Sequence, residues 1–477
     1  MVSKHLLPLI SAVLLSACAN GPASAQRRTA TQIFHGFTLI DPATRRKIPN
    51  AFILVRDGKI ARIGRGKPER TFGPVQSFDL KGRYLLPGFI DAHAHITGSG
   101  LQKVEVKNGQ ALITMESDDA SMRRNARIAL SRGVTTVRDP GGDPAVAVRY
   151  DTKVKTGEWI GPEALHAGAV AEPPPFGGSM FVYPRTPAQW DAEAARQAML
   201  GMRYFKLYSS LSEAEVAEGI KAAHRHGLKA IGHLNAVSWM RAAQLGIDGL
   251  EHALPTSADI LPANRRALYV ARPDSTFMYR WFELVDFDAP EFQAMLRLLA
   301  KRHVVTNMTL VVNELVYNID DLDRVYPASE RVGADPEVLK QILANLRASS
   351  VGWTKEDFSR ARAVMPKVLE FARRMHAARI SMMIGTDAGG GIFFARELAL
   401  HRAAGIPAWD VLRMATSGAA HVMGIGDRTG RLRQGYEADF VILDGDPLTD
   451  ISAASKIDAV VTNGRLLRGG GLIAGPN

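Results

Sequence analysis

The sequence predicts an α/β protein that combines a parallel (β/α)8 TIM-like barrel with a small β-sandwich formed by both chain ends. Two observations support this prediction. Eight short apolar segments alternate with helical stretches in the middle of the chain, and eight is the number of parallel strands that closes such a barrel. Near both ends, runs of strand-forming residues are instead separated by turn residues, which is typical of antiparallel sheets.

The predicted barrel strands span residues 88–95, 133–139, 163–168, 204–208, 229–234, 249–254, 304–310 and 380–387. One of the intervening helices is well marked at both ends. Ser212 and Glu215 have the spacing of an N-terminal capping box, and Gly227 ends the helix before the next strand. These elements assign residues 88–425 to the barrel.

The composite β-sandwich is predicted from residues 27–87 and 426–477. The dipeptides Asp57-Gly58 and Asn463-Gly464 each separate two strand-like runs. Such pairs favour the tight turns of β-hairpins because their residues tolerate a positive φ angle. We therefore expect both chain ends to contribute hairpins to one small β domain.

The composition of the 477-residue chain is ordinary for a globular protein, with 46% hydrophobic and 22% charged residues. This excludes disordered, collagen-like and coiled-coil classes. The formal net charge is +11, but the basic residues are scattered and no basic stripe with interleaved aromatic residues occurs. We therefore expect no nucleic-acid partner.

Residues 1–26 have the layout of an export signal, in which Lys4 precedes an apolar run over 6–15 and small residues follow. Two processing routes remain open. The segment Leu15-Ser16-Ala17-Cys18 resembles a bacterial lipobox, and Cys18 is the single cysteine of the chain. Ala23-Ser24-Ala25 fits ordinary signal cleavage instead. The lipobox is favoured, which predicts a periplasmic or outer-membrane lipoprotein whose membrane contact is limited to a lipid on Cys18.

Metal-ligand residues cluster at the predicted strand ends. His93 and His95 end the first strand, where alternate side chains point to one side. His233, His252 and Asp387 end the fifth, sixth and eighth strands. Barrel enzymes place their active residues at the rim formed by the C-terminal ends of the strands. Imidazole and carboxylate groups are ligands of zinc-like ions. The pattern therefore predicts a metal centre.

Lys206 lies in an otherwise apolar and aromatic strand, Tyr204 to Tyr208. Three interpretations remain open for it: a salt bridge, an ammonium group that reaches solvent, or carboxylation by CO₂. Carboxylation would change the side-chain charge from +1 to −1 and would provide two oxygen ligands for a pair of metal ions.

Taken in chain order, these motifs resemble those of the metal-dependent amidohydrolase superfamily. The segment Leu86-Pro-Gly-Phe-Ile-Asp-Ala-His-Ala-His95 resembles its first-strand motif, and the resemblance extends over nearly all of the chain from about residue 31 to about residue 470. Further matching segments are residues 133–139, 232–233, 251–252, 385–387, 415–420 and 435–443. The branch that the chain resembles comprises the imidazolonepropionase-like and prolidase-like members.

The resemblance implies a ligand set and a proton carrier. His93, His95 and Asp387 would hold one zinc ion, His233 and His252 would hold a second, and carboxylated Lys206 would bridge them. Asp387 would also act as general base and then as general acid. Deaminase-like members carry a glutamate three residues after the fifth-strand histidine, where this chain has Ala236. This departure argues against a mononuclear deaminase.

The implied reaction is hydrolysis of an amide bond in a small molecule, by water activated between the two metal ions. Dipeptides and N-acyl amino acids are the first candidate substrates. Cyclic amides of the imidazolone type and lactones are the runner-up substrates, and an inactive binding lipoprotein is a third hypothesis. Arg138, Tyr208 and Arg280 are candidates for binding a substrate carboxylate, and His166 is a weaker candidate for substrate contact. Relatives that the chain resembles are often homo-oligomers, but the sequence fixes no number.

Overall fold

The computed structural model describes residues 31–66, 68, 75–98, 102–107, 110–115, 117–327 and 336–468. The predicted export signal, with Cys18, lies outside this range. No helix within the described residues is long and apolar enough to cross a bilayer.

The strands are β1 (Thr31–Asp41), β2 (Arg46–Arg56), β3 (Lys59–Arg65), β4 (Val75–Asp79), β5 (Tyr84–Pro87), β6 (Phe89–Asp91), β7 (Gln102–Lys107), β8 (Gln110–Met115), β9 (Val134–Asp139), β10 (Glu163–His166), β11 (Val170–Ala171), β12 (Phe181–Val182), β13 (Tyr204–Leu207), β14 (Lys229–Gly232), β15 (Gly249–Glu251), β16 (Val305–Asn307), β17 (Met382–Met383), β18 (Phe440–Leu443), β19 (Ile457–Thr462) and β20 (Arg465–Arg468). The α-helices are α1 (Asp119–Ser131), α2 (Pro144–Lys155), α3 (Pro187–Met199), α4 (Glu213–Arg225), α5 (Trp239–Leu245), α6 (Ala263–Val270), α7 (Phe277–Leu284), α8 (Pro290–Lys301), α9 (Leu310–Tyr317), α10 (Pro336–Ser349), α11 (Lys355–Ala377), α12 (Phe394–Ala403), α13 (Ala408–Met414) and α14 (Ser417–Val422).

The middle of the chain forms a TIM-barrel-like arrangement of parallel strands. A strand occurs in each of the eight predicted segments, as β6, β9, β10 and β13 to β17. These strands belong to two parallel sheets, ordered β10-β9-β6 and β12-β11-β13-β14-β15-β16-β17. Backbone hydrogen bonds cross both gaps, among them those from Arg203 N to His166 O (2.9 Å) and from Ala92 N to Ile384 O (2.8 Å). The strands of the described chain are thus arranged as in a barrel, but they do not form one continuous closed sheet.

A bend in the third barrel segment explains one of the two gaps. The predicted strand 163–168 ends at His166 as β10, and the unpredicted short strand β11 follows after Gly168, which has φ +69°. Glycine adopts such a positive φ without steric cost. β10 pairs with β9, whereas β11 pairs with β13, so the two parts of this segment belong to different sheets.

Helix α4 confirms the predicted capping box. Ser212 accepts a hydrogen bond from Glu215 N (3.4 Å), and Glu215 accepts one from Ser212 N (2.7 Å). The helix ends at Arg225, and Gly227 follows with φ +72°. Two orphan backbone donors at the helix start are satisfied in this way, and the chain turns into β14.

Both chain ends contribute to one eight-stranded mixed sheet, ordered β20-β19-β18-β5-β1-β2-β3 with β4 on β1. The β2–β3 and β19–β20 hairpins turn at the two predicted dipeptides. β5 joins the ends by pairing with β18. The sheet has its own apolar core, which includes Phe34, Phe37, Ile53, Phe440 and Val461. A small composite β domain agrees with this sheet, whose strands form a single hydrogen-bonded network among the described residues.

Candidate metal centre

His93, His95 and Asp387 converge at the rim of the barrel strands. Nε2 of His93 lies 3.1 Å from Asp387 Oδ1, and Nε2 of His95 lies 3.2 Å from the same oxygen. One ligand atom from each of the three residues lies within 4.8 Å of the other two. Ligands bound tetrahedrally at about 2.0–2.1 Å are roughly 3.4 Å apart, so this spacing fits the residues of a metal site.

His252 and His233 adjoin this group. The ring of His252 lies 4.8 Å from the ring of His93 and 4.4 Å from the ring of His233, measured between centroids. Nδ1 of His252 is 3.8 Å from Asp387 Oδ2. The structure therefore brings together all five residues that end predicted strands.

Hydrogen bonds to Nδ1 orient three of the four imidazole rings. Nδ1 of His93 is 2.7 Å from Glu251 Oε2, and Nδ1 of His95 is 3.2 Å from the carbonyl oxygen of Gly141. Nδ1 of His252 is 2.9 Å from Thr309 Oγ1. A ring held through Nδ1 leaves the lone pair of Nε2 for a metal ion.

The prediction that His93 and His95 share one face of a strand is wrong, because β6 already ends at Asp91. Both histidines lie in the following loop, and the loop after β17 is tied to it. Asp387 N donates to His93 O (2.7 Å), and Asp91 accepts hydrogen bonds from His93 N (3.1 Å) and from the Thr386 hydroxyl (2.8 Å). Burial raises the pKa of Asp91 to about 7, although these hydrogen bonds act in the opposite direction.

Three residues of the centre have left-handed backbone conformations. The φ angles are +68° for His252, +55° for Asp387 and +42° for Thr309. Residues other than glycine rarely adopt these values, and such strain is concentrated at functional sites. The backbone therefore turns sharply at these three positions, in the segments that follow β15, β16 and β17.

Lys206 is 3% exposed on β13. Within the described part of the chain, its ammonium group has no hydrogen bond and no ion pair, and Nζ lies 6.0 Å from the ring centroid of Tyr208. Burial lowers the pKa of Lys206 to about 8, against the attraction of Glu251 and Asp387. The structure thus supports neither the salt bridge nor the solvent-exposed ammonium that the sequence left open.

Glu251 is a site residue for which the sequence analysis predicted no role, although it stands directly before His252. Its two carboxylate oxygens accept hydrogen bonds from Arg138 Nη2 at 2.8 and 2.7 Å, and both side chains are buried. Burial alone would raise the pKa of Glu251, but Arg138 and His93 outweigh it and hold this pKa well below the usual range. The ionised carboxylate fixes the ring of His93.

The prediction that Arg138 and Arg280 bind a carboxylate group of the substrate is wrong. Arg138 binds Glu251 and also donates from Nε to Ala92 O (2.6 Å). Arg280 donates to the carbonyl oxygens of Leu268 (2.7 Å) and Arg272 (2.6 Å) near the end of α6. Both guanidinium groups therefore support the protein's own backbone and side chains.

Tyr208 and His166 have different surroundings. The half-buried ring of Tyr208 lies 4.8 Å from that of His233. His166 is buried between two carboxylates, with Nε2 3.0 Å from Asp151 Oδ1 and Nδ1 3.6 Å from Asp139 Oδ2. Burial lowers the pKa of His166, but both carboxylates raise it further, to about 9. Tyr208 thus remains a candidate for substrate contact, whereas His166 is held by protein groups.

Residues 84–467 match the model of the amidohydrolase family. The chain belongs to the amidohydrolase family. Members of this family hydrolyse C–N bonds and typically use divalent metal ions, so the chain is a C–N hydrolase. The group formed by His93, His95 and Asp387 is its possible metal site.

Full-length relatives and solved structures agree with this assignment. The ochratoxinase of Aspergillus niger is 22% identical, over 95% of this chain and 88% of its own length. The imidazolonepropionase of Vibrio campbellii is 21% identical, over 89% and 94% of the two chains. The structure of a Xaa-Pro dipeptidase with bound methionine superposes with a TM-score of 0.64 at 20% identity, over 92% of this chain and all of that one. A bottromycin amidohydrolase reaches a TM-score of 0.68 at 21% identity, over 94% and 89%. These two structures support the TIM-barrel-like fold.

We expect Glu251→Gln to reduce the free energy of unfolding by about 3–5 kcal/mol, because Arg138 would stay buried without its counter-charge. Glu283→Gln is the matched control. Glu283 also binds an arginine through two hydrogen bonds, to Arg360 at 2.9 and 2.7 Å, but this pair is partly exposed. Glu283→Gln should therefore reduce the free energy of unfolding by only about 0–1 kcal/mol. Equal losses in urea-induced unfolding would contradict the role assigned to Glu251.

Proposed function

We propose that this protein is a binuclear, zinc-dependent hydrolase of amide bonds in small molecules, with dipeptides and N-acyl amino acids as the first candidate substrates. The observation that carries the proposal is the convergence of His93, His95, His233, His252 and Asp387, with three rings oriented through Nδ1. The names of the relatives, an ochratoxinase, an imidazolonepropionase and a Xaa-Pro dipeptidase, favour amide substrates. Export as a lipoprotein through Cys18 is a further part of the proposal.

The residues present fit two ions. His93, His95 and Asp387 would hold one, His233 and His252 would hold the other, and carboxylated Lys206 would link them. Zinc suits this set because it accepts both imidazole nitrogen and carboxylate oxygen. When bound, the ions supply an activated water molecule and polarise the carbonyl group of the substrate.

Asp387 is the proton carrier in this proposal. Its side chain is 25% exposed, whereas those of His93 and His252 are 1% and 5% exposed. Burial alone would raise the pKa of Asp387, but His252 and His93 outweigh it and hold this pKa well below the usual value. The carboxylate is therefore ionised at neutral pH, ready to accept a proton from water and to donate it to the leaving nitrogen.

Lys206 has the environment that carboxylation requires. Carboxylation starts from the neutral amine: the Nζ lone pair forms a bond to the carbon of CO₂, and nitrogen releases one proton. A buried ammonium without a partner is costly, and an anionic carbamate between two cations would be stabilised there. Among the described residues, no carboxylate oxygen lies within 4 Å of Lys206 Nζ, which supports this interpretation.

An aromatic wall adjoins the proposed second ion. It consists of Phe176, Phe181 and Tyr208, with ring centroids 5.0 Å apart for Phe176–Phe181 and 6.1 Å for Phe176–Tyr208. Tyr208 contacts the ring of His233 (4.8 Å), and Phe176 is only half-buried. An amide group bound beside His233 would place one of its substituents against this wall, so we propose substrates with an apolar side chain.

Asp387→Asn and His93→Ala should each abolish turnover and leave the fold largely intact. The screen uses zinc-loaded protein lacking residues 1–26 and a library of dipeptides and N-acyl amino acids, with imidazolone-type cyclic amides and lactones as alternative substrates. Wild-type protein should contain about two zinc ions per chain. His224→Ala is the control, because His224 is exposed and binds Asp248 (2.8 Å). Full activity of either variant, or a wild-type protein without metal, would contradict the proposal.

Lys206→Ala should lower the metal content below two ions per chain, and short carboxylic acids such as propionate should restore part of the activity by replacing the carbamate oxygens. Lys229→Ala is the control, because Lys229 is an exposed lysine of the neighbouring strand that donates to Val422 O (2.9 Å). Normal metal content without rescue would show that Lys206 is only a structural cation.

Phe176→Ala should lower kcat/KM for N-acetyl-phenylalanine by roughly tenfold relative to N-acetylglycine, since the loss of an apolar contact in a pocket is worth about 1–3 kcal/mol. Phe78→Ala serves as control, because Phe78 stacks on Phe34 in the β domain (4.8 Å). An equal effect of Phe176→Ala on both substrates would exclude the aromatic wall as a specificity element.

A further inference from the structure

The start of helix α9 lies next to the proposed metal centre and has an unusual cap. Thr309 is the N-cap residue, but its hydroxyl accepts no hydrogen bond from the first turn. An N-cap threonine normally accepts one from the second or third residue of the helix. The Thr309 hydroxyl instead lies 2.9 Å from His252 Nδ1.

Glu397 supplies the missing cap from helix α12. This side chain is fully buried, and its two oxygens accept hydrogen bonds from Leu310 N (3.0 Å) and Val311 N (2.8 Å). A carboxyl group at this position satisfies two of the orphan backbone donors at the start of the helix. The capping function thus belongs to a residue of another helix, which leaves the Thr309 hydroxyl available to His252.

The backbone around these groups is held in a strained form. Thr309 is β-branched and has φ +42°, and His252 has φ +68°. The loops that carry them are joined by two hydrogen bonds, from His252 N to Asn307 O (2.6 Å) and from Ala253 N to Met308 O (2.7 Å). Strained conformations persist only where the surroundings fix them. Glu397 is one of the groups that fix Thr309, because it binds the two residues that follow.

We propose that Thr309 and Glu397 are positioning residues for His252. Thr309 would accept the Nδ1 proton of His252 and so leave the Nε2 lone pair for the second ion, and Glu397 holds Thr309 in place. Glu251 stands in the same relation to His93, at 2.7 Å from Nδ1. The inference rests on the proposed binuclear centre.

Thr309→Val tests the proposal because valine keeps the shape and β-branching of threonine but removes the acceptor. We expect the affinity for the second zinc ion to fall by about 10- to 100-fold, so that dialysis against a weak chelator leaves about one ion per chain. The visible absorption spectrum of the Co²⁺-loaded protein should change. Thr309→Ser keeps the hydroxyl and should restore both properties.

Thr306→Val is the matched control. Thr306 lies on β16, three residues earlier, and is also fully buried, but its hydroxyl has no hydrogen-bond partner among the described residues. This variant should retain two zinc ions and the wild-type cobalt spectrum. Glu397→Gln should also lower the affinity for the second zinc ion. The amide nitrogen of glutamine is a donor, and it would replace an oxygen that accepts a hydrogen bond from a backbone N–H.

The rise in Tm that zinc produces gives an independent measurement on each variant, and it should be smaller for Thr309→Val and Glu397→Gln than for Thr306→Val. Wild-type zinc affinity and cobalt spectrum in Thr309→Val would overturn the positioning role, as would a Thr309→Ser variant as weak as Thr309→Val. If the wild-type protein holds two zinc ions, either of these results would overturn only the positioning role and leave the proposed function intact. A wild-type protein without zinc would overturn the positioning role and the proposed function together.

Discussion

The buried contact between Glu251 and His93 is the interaction on which the centre depends most. Glu251 ends β15 in the larger parallel sheet, whereas His93 follows β6 in the smaller one. Arg138, on β9 of the smaller sheet, binds both oxygens of the same carboxylate. A buried carboxylate is tolerated only with such compensation, so one charged group links the two sheets and orients a ligand-type ring.

The rings of His95 and His252 are also oriented by a contact at Nδ1, but with a different partner in each case. His95 uses the backbone carbonyl of Gly141, and His252 uses the hydroxyl of Thr309. A carboxylate, a carbonyl and a hydroxyl can all accept the Nδ1 proton, so the three rings are oriented without a shared sequence motif. The chemistry at the rim thus depends on groups that would touch no substrate.

Residue type and chain position were enough to predict several parts of this structure. Apolar segments alternating with helical ones predicted the positions of all eight barrel strands, and Ser212 with Glu215 predicted the start of α4. The bend at Gly168 was not predictable, because the choice between two neighbouring strands is made by hydrogen bonds to residues distant in the chain. Arg138 and Arg280 were misassigned for a related reason: a charge in a sequence does not show which group it binds.

The sequence by itself determined the family motifs, the strand positions and the types of ligand group at the strand ends, because these depend on local pattern and side-chain chemistry. Only the tertiary structure decided that Nε2 of both His93 and His95 faces Asp387, that Lys206 is buried without an ion pair in the described region, and that Glu397 caps a helix beginning 87 residues earlier. These properties depend on distance and direction between residues that are far apart in the chain. Such contacts exist only after the loops have been folded onto one rim.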